Sequence, residues 1–294
     1  MKTTYGRIAL GVLMVIGLTA AKSKAEDFRV LVFSKTAGFR HNSIADGISL
    51  IQQLGTANNF GVDLTEDASD FTEVNLSQYA VVVWLSTTGD VLNGAQQSAF
   101  EAYVQGGGGY VGVHAAADCE YGWPWYGQLL GNDAWFSNHP SIQTATLSRE
   151  DDEHVSSEHF PATFSFQDEW YNFQNQPTDD PDVNVVLTID ETTYSGGNMG
   201  AFHPMAWFHE FDGGRVWYTA LGHRSQTFDD GDFQEHLLGG ILWAASCLPE
   251  DSEIFNACLT GPGIPLIETA PCRCADRNDD LDVDLEDYAA IQKD

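Results

Sequence analysis

Four consecutive glycines, a short apolar stretch and a histidine lie together between residues 106 and 114. The glycines end a helix predicted over 93–105, residues 110–113 predict a short strand, and His114 follows that strand directly. A residue at the end of a parallel strand lies at the carboxyl edge of the sheet, where open α/β sheets bind ligands. This stretch therefore predicts an α/β fold with a site centred on His114.

Apolar strands and amphipathic helices alternate around this stretch. The β-α-β-β-α-β order of the first half predicts a flavodoxin-like, mostly parallel sheet with helices on both faces. We interpret residues 118–181 as loops and short elements that cover the carboxyl edge. Strands are predicted at 28–34, 62–66, 80–85, 110–114, 183–189, 205–211 and 215–221, and further helices at 43–54 and 232–245.

Composition allows a sizeable core and argues against one class of partner. Of the 294 residues, 43% are hydrophobic and 12% are aromatic, so global disorder is not expected. The formal net charge of −30 repels a phosphate backbone, and nucleic acid is therefore not an expected partner. A solvated acidic surface, or one that attracts cations, fits this charge.

The first 25 residues have the pattern of a secretory signal peptide. Lys2 and Arg7 precede an apolar run at 8–21, and Ser23 and Ala25 are the small residues expected before a cleavage site. The apolar run is short and interrupted by glycine, so no stable membrane span is expected after cleavage; an uncleaved anchor is the alternative. We expect a secreted, periplasmic or cell-surface protein.

Export makes disulfides possible, and the cysteines are unevenly placed. Four of the five cysteines fall after residue 246, where a pair such as Cys247–Cys258 is plausible. Cys119 is predicted to be a buried free thiol rather than a nucleophile.

Several histidines fall at the ends of predicted strands or in loops next to proline. His41, His114 and His223 follow strands, whereas His139 and His203 each precede a proline. Imidazole in such positions serves as an acid, a base or a metal ligand. Three other histidines lie in polar sequence contexts and are predicted to have no role at the site: His154, His159 and His236.

Two carboxylates and several aromatic residues complete the predicted site. Asp118 is four residues beyond His114 and is predicted to orient it. Glu169 precedes aromatic residues, a setting that raises a carboxyl pKa and suits general acid–base work. Trp123, Trp170 and Tyr171 are predicted to offer flat surfaces to sugar rings, although core packing would also explain them.

Familiar signatures of other enzyme classes are missing from the sequence. It contains no H-E-x-x-H zinc motif and no G-x-S-x-G elbow, and its glycine run precedes a strand, unlike a dinucleotide-binding loop.

Five segments together resemble the ThuA-like (trehalose utilisation) family. They are residues 32–41, 107–118, 168–173, 196–204 and 218–223, which occur in order within about 28–246. The family resembles class I glutamine amidotransferases, which carry a cysteine where this chain has His114. Imidazole does not form a thioester, so the resemblance implies use of disaccharides or 3-keto-glycosides rather than glutaminase activity.

The C-terminal residues resemble a partial dockerin or EF-hand loop, joined to the main domain at 26–247 by a linker at 248–274. Its position 6 is Leu281 where glycine is usual, and only one loop is present. The resemblance implies calcium binding and a cohesin-like partner for residues 275–294; a disordered acidic tail is the alternative. The implied ligands are Asp276, Asn278, Asp280, Asp282 (through its carbonyl), Asp284 and Asp287.

These observations support two main hypotheses. In the first, the protein is an exported carbohydrate-active hydrolase, lyase or isomerase. His114 is its centre, Asp118 orients His114, and Glu169 is a second acid–base group. In the second, it is a non-catalytic glycan-binding or scaffold module tethered through the calcium tail. In the first hypothesis, substrate hydroxyls or a divalent metal would be bound by His41, His203 and His223. A third, weaker hypothesis is a zinc-dependent hydrolase that uses His41, His114 and His223.

Overall fold

The structure, a computed structural model, describes residues 28–245. The predicted signal peptide, linker and calcium loop lie outside the described residues. Within them the strands are β1 (Arg29–Phe33), β2 (Gly61–Thr65), β3 (Val81–Leu85), β4 (Gly109–Val113), β5 (Phe136–Asn138), β6 (Gln143–Arg149), β7 (Thr163–Asp168), β8 (Asn172–Phe173), β9 (Asn184–Ile189), β10 (Pro204–Phe211) and β11 (Gly214–Thr219). The helices are α1 (Ile44–Ala57), α2 (Glu73–Leu76), α3 (Gly94–Gln105), α4 (Pro124–Leu129), α5 (Ser225–Phe228) and α6 (Gly231–Ala244).

In the described part of the chain, nine strands form one sheet in the order β2-β1-β3-β4-β11-β10-β9-β6-β7. The first five strands in this order, β2-β1-β3-β4-β11, pair in parallel, which confirms the predicted flavodoxin-like arrangement. From β11 onward the pairs are antiparallel. The interpretation of 118–181 as covering loops missed β6 and β7, whose half-buried, alternating residues are typical of antiparallel strands.

Helices cover both faces of the parallel half, as predicted. Every residue of β3 is buried, and consecutive side chains of a strand point to opposite faces. Trp84 packs against Phe100 of α3. On the other face, α1 lies so close to Leu85 that a Cβ at Gly47 would be 2.9 Å from the Leu85 side chain. No helix within residues 28–245 is long and apolar enough to cross a membrane.

The antiparallel half curves back toward the parallel half. Four strand spacings separate β7 from β11, which is about 19 Å in a flat sheet. Yet Oδ2 of Asp168, the last residue of β7, accepts hydrogen bonds of 2.9 Å from the backbone N–H of Gly222 and the hydroxyl of Thr227, both beyond β11. Curvature of the sheet and the reach of the segment after β11 together bring this segment to the end of β7.

Cys119 is fully buried and has a free thiol, as the sequence predicted. Its Sγ donates to the carbonyl oxygen of Gly89. Burial raises the pKa of the thiol well above its usual value, which keeps it neutral.

His154 and His236 are buried, although their polar sequence context had suggested surface positions. Nδ1 of His236 donates to the carbonyl oxygen of Ser156 at 2.6 Å, and the Ser156 hydroxyl lies 2.8 Å from Nδ1 of His154. Burial lowers the pKa of His236 to about 3 and that of His154 to about 4. Both imidazoles are therefore neutral near pH 7 and join the 154–157 loop to α6.

We expect the free energy of unfolding to fall on acidification, partly through His236. Its folded-state pKa is below its unfolded value of about 6.5, so the unfolded chain takes up the proton first. The contribution is complete above that value and is lost as the pH falls toward 3. The slope reaches about 1.4 kcal/mol per pH unit for one imidazole.

His236→Asn, whose amide nitrogen replaces Nδ1 as the donor to Ser156, is expected to reduce this slope. Chemical denaturation at pH 7 and pH 5 measures it, with His159→Asn as the control for removal of a partly exposed imidazole from the same region. Equal slopes in His236→Asn and wild type would contradict the assignment.

Candidate functional site

His114 lies at a sharp turn directly after β4. Its φ of 51° is in the left-handed region, and the hydroxyl of Tyr218 donates to its carbonyl oxygen at 2.8 Å. Gly112 makes room for this support, because a Cβ there would lie 2.6 Å from the hydroxyl of Tyr110 and 2.8 Å from the ring of Tyr218. The turn places the buried imidazole of His114 at the carboxyl edge of the sheet.

The tautomer of His114 follows from one hydrogen bond. Nδ1 lies 2.7 Å from the carbonyl oxygen of Ala220, which only accepts, so Nδ1 carries the proton. In the neutral ring Nε2 then has a free lone pair, which faces Nδ1 of His223 at 3.3 Å and Oε2 of Glu169 at 3.6 Å. Asp118 does not orient the ring; it accepts a hydrogen bond of 2.7 Å from Tyr121.

Glu169 follows β7 and is nearly buried. Its Oε2 lies 3.1 Å from Nδ1 of His223, and its Oε1 lies 2.9 Å from Nδ1 of His139. Burial raises the pKa of this carboxyl, but the imidazoles of His114 and His223 outweigh it and lower the pKa to about 2. The predicted rise was wrong, because the neighbours of the carboxylate are imidazoles as well as aromatic rings. Glu169 in turn raises the pKa of His223 through their hydrogen bond.

His41 completes the group from the loop after β1. Its ring centre lies 4.8 Å from that of His114 and 5.2 Å from that of His223, edge-on to both. Its buried Nδ1 has no hydrogen-bond partner. Burial, together with the nearby His114 and His223, lowers its pKa to about 3. One potential ligand atom from each of His41, His114, Glu169 and His223, hereafter the histidine cluster, lies within 4.8 Å of the others.

The predicted tryptophan surfaces are not at the site. Trp123 is 5% exposed and donates to Glu101, and Trp170 is fully buried and donates to the carbonyl oxygen of Gln143. Neither ring offers a face to a sugar. Both indoles pack in the interior, an alternative that the sequence had left open.

Tyr171 and His203 support the histidine cluster from behind. The ring of Tyr171 is 2% exposed and packs 4.3 Å from that of His114. His203 is fully buried, with Nε2 2.8 Å from the carbonyl oxygen of Tyr171 and Nδ1 2.9 Å from Oε1 of Glu191. The two residues therefore form the wall of the site. Both were predicted to bind substrate, but neither is placed to do so.

Sequence reasoning missed three contributors to the site. Asp168 accepts hydrogen bonds from the backbone of both Glu169 and Gly222, and so holds two segments of the site together. His139 had been noted before its proline but had not been assigned to the site. No sequence pattern identifies the carbonyl of Ala220, because every residue has a backbone carbonyl.

An exposed aromatic ring lies beside the histidine cluster. Phe39 is 66% exposed and its ring centre lies 4.9 Å from that of His41. Tyr121, which donates to Asp118, is 40% exposed. These rings, unlike those of Trp123 and Trp170, are accessible to a ligand.

Comparison with known proteins points to one family. Residues 29–244 match the family model described as ThuA, trehalose utilisation. The chain is similar to a solved ThuA-like protein from Bacteroides uniformis, with a TM-score of 0.66 and 27% identity over 78% of this chain and 96% of that chain. A ThuA-like protein from Parabacteroides merdae shares the fold, with a TM-score of 0.60 and 22% identity over 74% of this chain and 89% of that one. A search of curated proteins found no match.

Gly112→Ala should destabilise the protein by about 1–3 kcal/mol, because the added methyl group collides with Tyr110 and Tyr218. Gly94→Ala is the matched control, since a Cβ there meets nothing within 4 Å. Chemical denaturation of both variants measures the difference. A loss in Gly112→Ala no larger than in Gly94→Ala would show that the close packing behind His114 is not needed.

Proposed function

The chain belongs to the ThuA (trehalose utilisation) family, and we propose that it is an exported enzyme that converts a disaccharide or 3-keto-glycoside at the histidine cluster. The family membership supports a carbohydrate-related role in general. The position of the cluster supports a reaction site, because ligands of open α/β sheets bind at the carboxyl edge.

The single observation that carries the proposal is the convergence of the four side chains of the histidine cluster at one place. They come from four loops between residues 41 and 223, and all but His223 are buried. Burying imidazoles and an ionised carboxylate costs free energy that apolar residues would not cost. Such a group in one place is typical of a functional site.

The hydrogen-bonding pattern is suited to proton transfer. Nε2 of His114 presents a lone pair, whereas Nδ1 of His223 carries a proton because it faces the Glu169 carboxylate at 3.1 Å. A substrate hydroxyl or carbonyl beside these two nitrogens meets an acceptor and a donor. General acid–base catalysis of sugar hydrolysis, elimination or isomerisation uses such a pair.

Glutaminase chemistry is not supported. His114 occupies the turn at which class I glutamine amidotransferases, which the family resembles, carry a cysteine. Cys119 is neutral, and its Sγ hydrogen-bonds to the carbonyl oxygen of Gly89. A thioester therefore has no sulfur nucleophile in the described site.

The burial of Trp123 and Trp170 removes the flat surfaces that were predicted to contact sugar rings. We assign the contact with a sugar ring to Phe39 instead. Export through residues 1–25, and a calcium-dependent cohesin-like partner for 276–287, stay predictions.

His114→Asn should reduce turnover of the carbohydrate at least about 100-fold and leave the fold intact. The asparagine amide replaces Nδ1 as the donor to Ala220, tolerates a positive φ and removes the far side of the ring, which carries Nε2. A panel of native and 3-keto disaccharides and glycosides measures turnover. The matched control is His209→Gln, which keeps the donor to the carbonyl oxygen of Leu129 at a buried histidine elsewhere. Unchanged turnover in His114→Asn would remove His114 from the reaction.

Phe39→Ala should raise KM about 3- to 10-fold with little change in kcat, because ring contact contributes about 0.5–1.5 kcal/mol to binding. Phe202→Ala is the control, since Phe202 is also exposed, at 42%. Steady-state kinetics separate the two constants. An equal KM in wild type and Phe39→Ala would exclude Phe39 as a sugar contact.

A further inference from the structure

We propose that the histidine cluster binds one divalent first-row transition ion in the range from Mn²⁺ to Zn²⁺. The ligands would be Nε2 of His114, Nδ1 of His223, Oε2 of Glu169 and a ring nitrogen of His41. The inference deepens the proposed function and rests on its site, but it does not depend on which sugar is converted.

Two of the three distances among these ligand atoms fit a metal site, and the third is that of a hydrogen bond. His223 Nδ1 lies 3.3 Å from His114 Nε2 and 3.1 Å from Glu169 Oε2, and the latter two atoms are 3.6 Å apart. Metal bonds of 2.0–2.2 Å in a tetrahedral site place two ligands about 3.3–3.6 Å apart. Good N–H···O hydrogen bonds are shorter, mostly 2.7–3.2 Å.

The lone pair of His114 and the oxygen of Glu169 face each other without a proton of their own between them. Nδ1 of His114 holds the ring proton for Ala220, so Nε2 and Oε2 are both acceptors. Nδ1 of His223, 3.3 Å from Nε2 and 3.1 Å from Oε2, is the proton donor that stands between these two acceptors and carries the positive charge they face. A bound cation supplies that charge and displaces the proton on Nδ1 of His223, as metal binding to histidine requires.

The outer partners are those that metal ligands usually have. Metal-binding histidines donate their other ring N–H to a carbonyl or carboxylate, as His114 does to Ala220. Ligating carboxylates are themselves hydrogen-bonded. Nδ1 of His139 lies 2.9 Å from Oε1 of Glu169 and so leaves Oε2 for the ion.

His41 adds an independent observation. Its buried Nδ1 has no partner, and an unsatisfied buried polar atom costs about 1–3 kcal/mol. A fourth ligand from His41 would explain why this imidazole is buried among two others.

The ligand set selects the class of ion. Three imidazoles and one carboxylate suit transition ions such as Zn²⁺, Fe²⁺ or Co²⁺, whereas Mg²⁺ and Ca²⁺ prefer sites made of oxygen.

A second buried histidine–glutamate pair provides an internal control. Both ring nitrogens of His203 are used within the protein, one by the carbonyl oxygen of Tyr171 and the other by Glu191. The lone pair of Nδ1 also faces the hydroxyl of Tyr194 at 3.2 Å, which can donate to it, so this nitrogen is already hydrogen-bonded within the described residues. Glu191→Gln should therefore leave metal binding unchanged, although it alters the same kind of pair.

The experiment is a titration of untagged, chelator-treated full-length protein with Co²⁺, followed by Zn²⁺. Excess Mg²⁺ and Ca²⁺ in the buffer occupy the acidic surface and the predicted loop at 276–287. We expect one equivalent of Co²⁺ to give a visible absorption band that Zn²⁺ abolishes. His114→Asn and Glu169→Gln should each weaken binding at least about 100-fold, and Glu191→Gln should match wild type within about twofold.

Two binding results overturn the proposed ion site, and a third result comes from turnover. The binding results are equal Co²⁺ affinity in wild type and folded His114→Asn or Glu169→Gln, and wild type that gives no Co²⁺ band. Circular dichroism establishes folding, and the two variants test the same site independently. Full sugar turnover by chelated protein would also overturn the ion and leave the proposed function standing. A bound ion without turnover of any sugar in the panel would support the metal site and overturn the carbohydrate reaction.

Discussion

The hydrogen bond from Nδ1 of His114 to the carbonyl oxygen of Ala220 determines what the site can do. It fixes the ring proton on one nitrogen and leaves the other as a lone pair directed at Glu169 and His223. The bond itself follows from strand pairing, because Thr219 of β11 lies opposite Val113 of β4, so Ala220 and His114 leave the sheet side by side. The backbone register of two parallel strands thus sets the tautomer of the central imidazole.

A second constraint is the buried carboxylate of Asp168, which holds the two halves of the sheet together at this edge. It accepts from the backbone of Glu169 and Gly222 and from the hydroxyl of Thr227. Burial raises the pKa of Asp168, and these donors act against that rise. Through this contact the antiparallel half contributes Glu169 to a site otherwise built by the parallel half.

Two buried histidine–glutamate contacts in the same domain have different consequences. Both ring nitrogens of His203 have partners: Nε2 faces the carbonyl oxygen of Tyr171 and Nδ1 faces Glu191, and these contacts fix the wall behind His114. In His114 only Nδ1 is hydrogen-bonded to the backbone, and Nε2 faces a carboxylate and a second histidine. The number of ring nitrogens left over, rather than the residue types, separates a structural pair from a reactive one.

The sequence by itself determined the alternating elements, the parallel half of the sheet and the positions of His41, His114 and His223 beyond strand ends. These features depend on hydrophobic periodicity and on glycine placement, which neighbouring residues encode. Tertiary structure alone decided that Glu169 reaches His114, that Ala220 orients it instead of Asp118, and that Trp123 and Trp170 are buried. Those outcomes depend on sheet curvature and on pairing between strands far apart in the chain, and no local pattern of residues contains either.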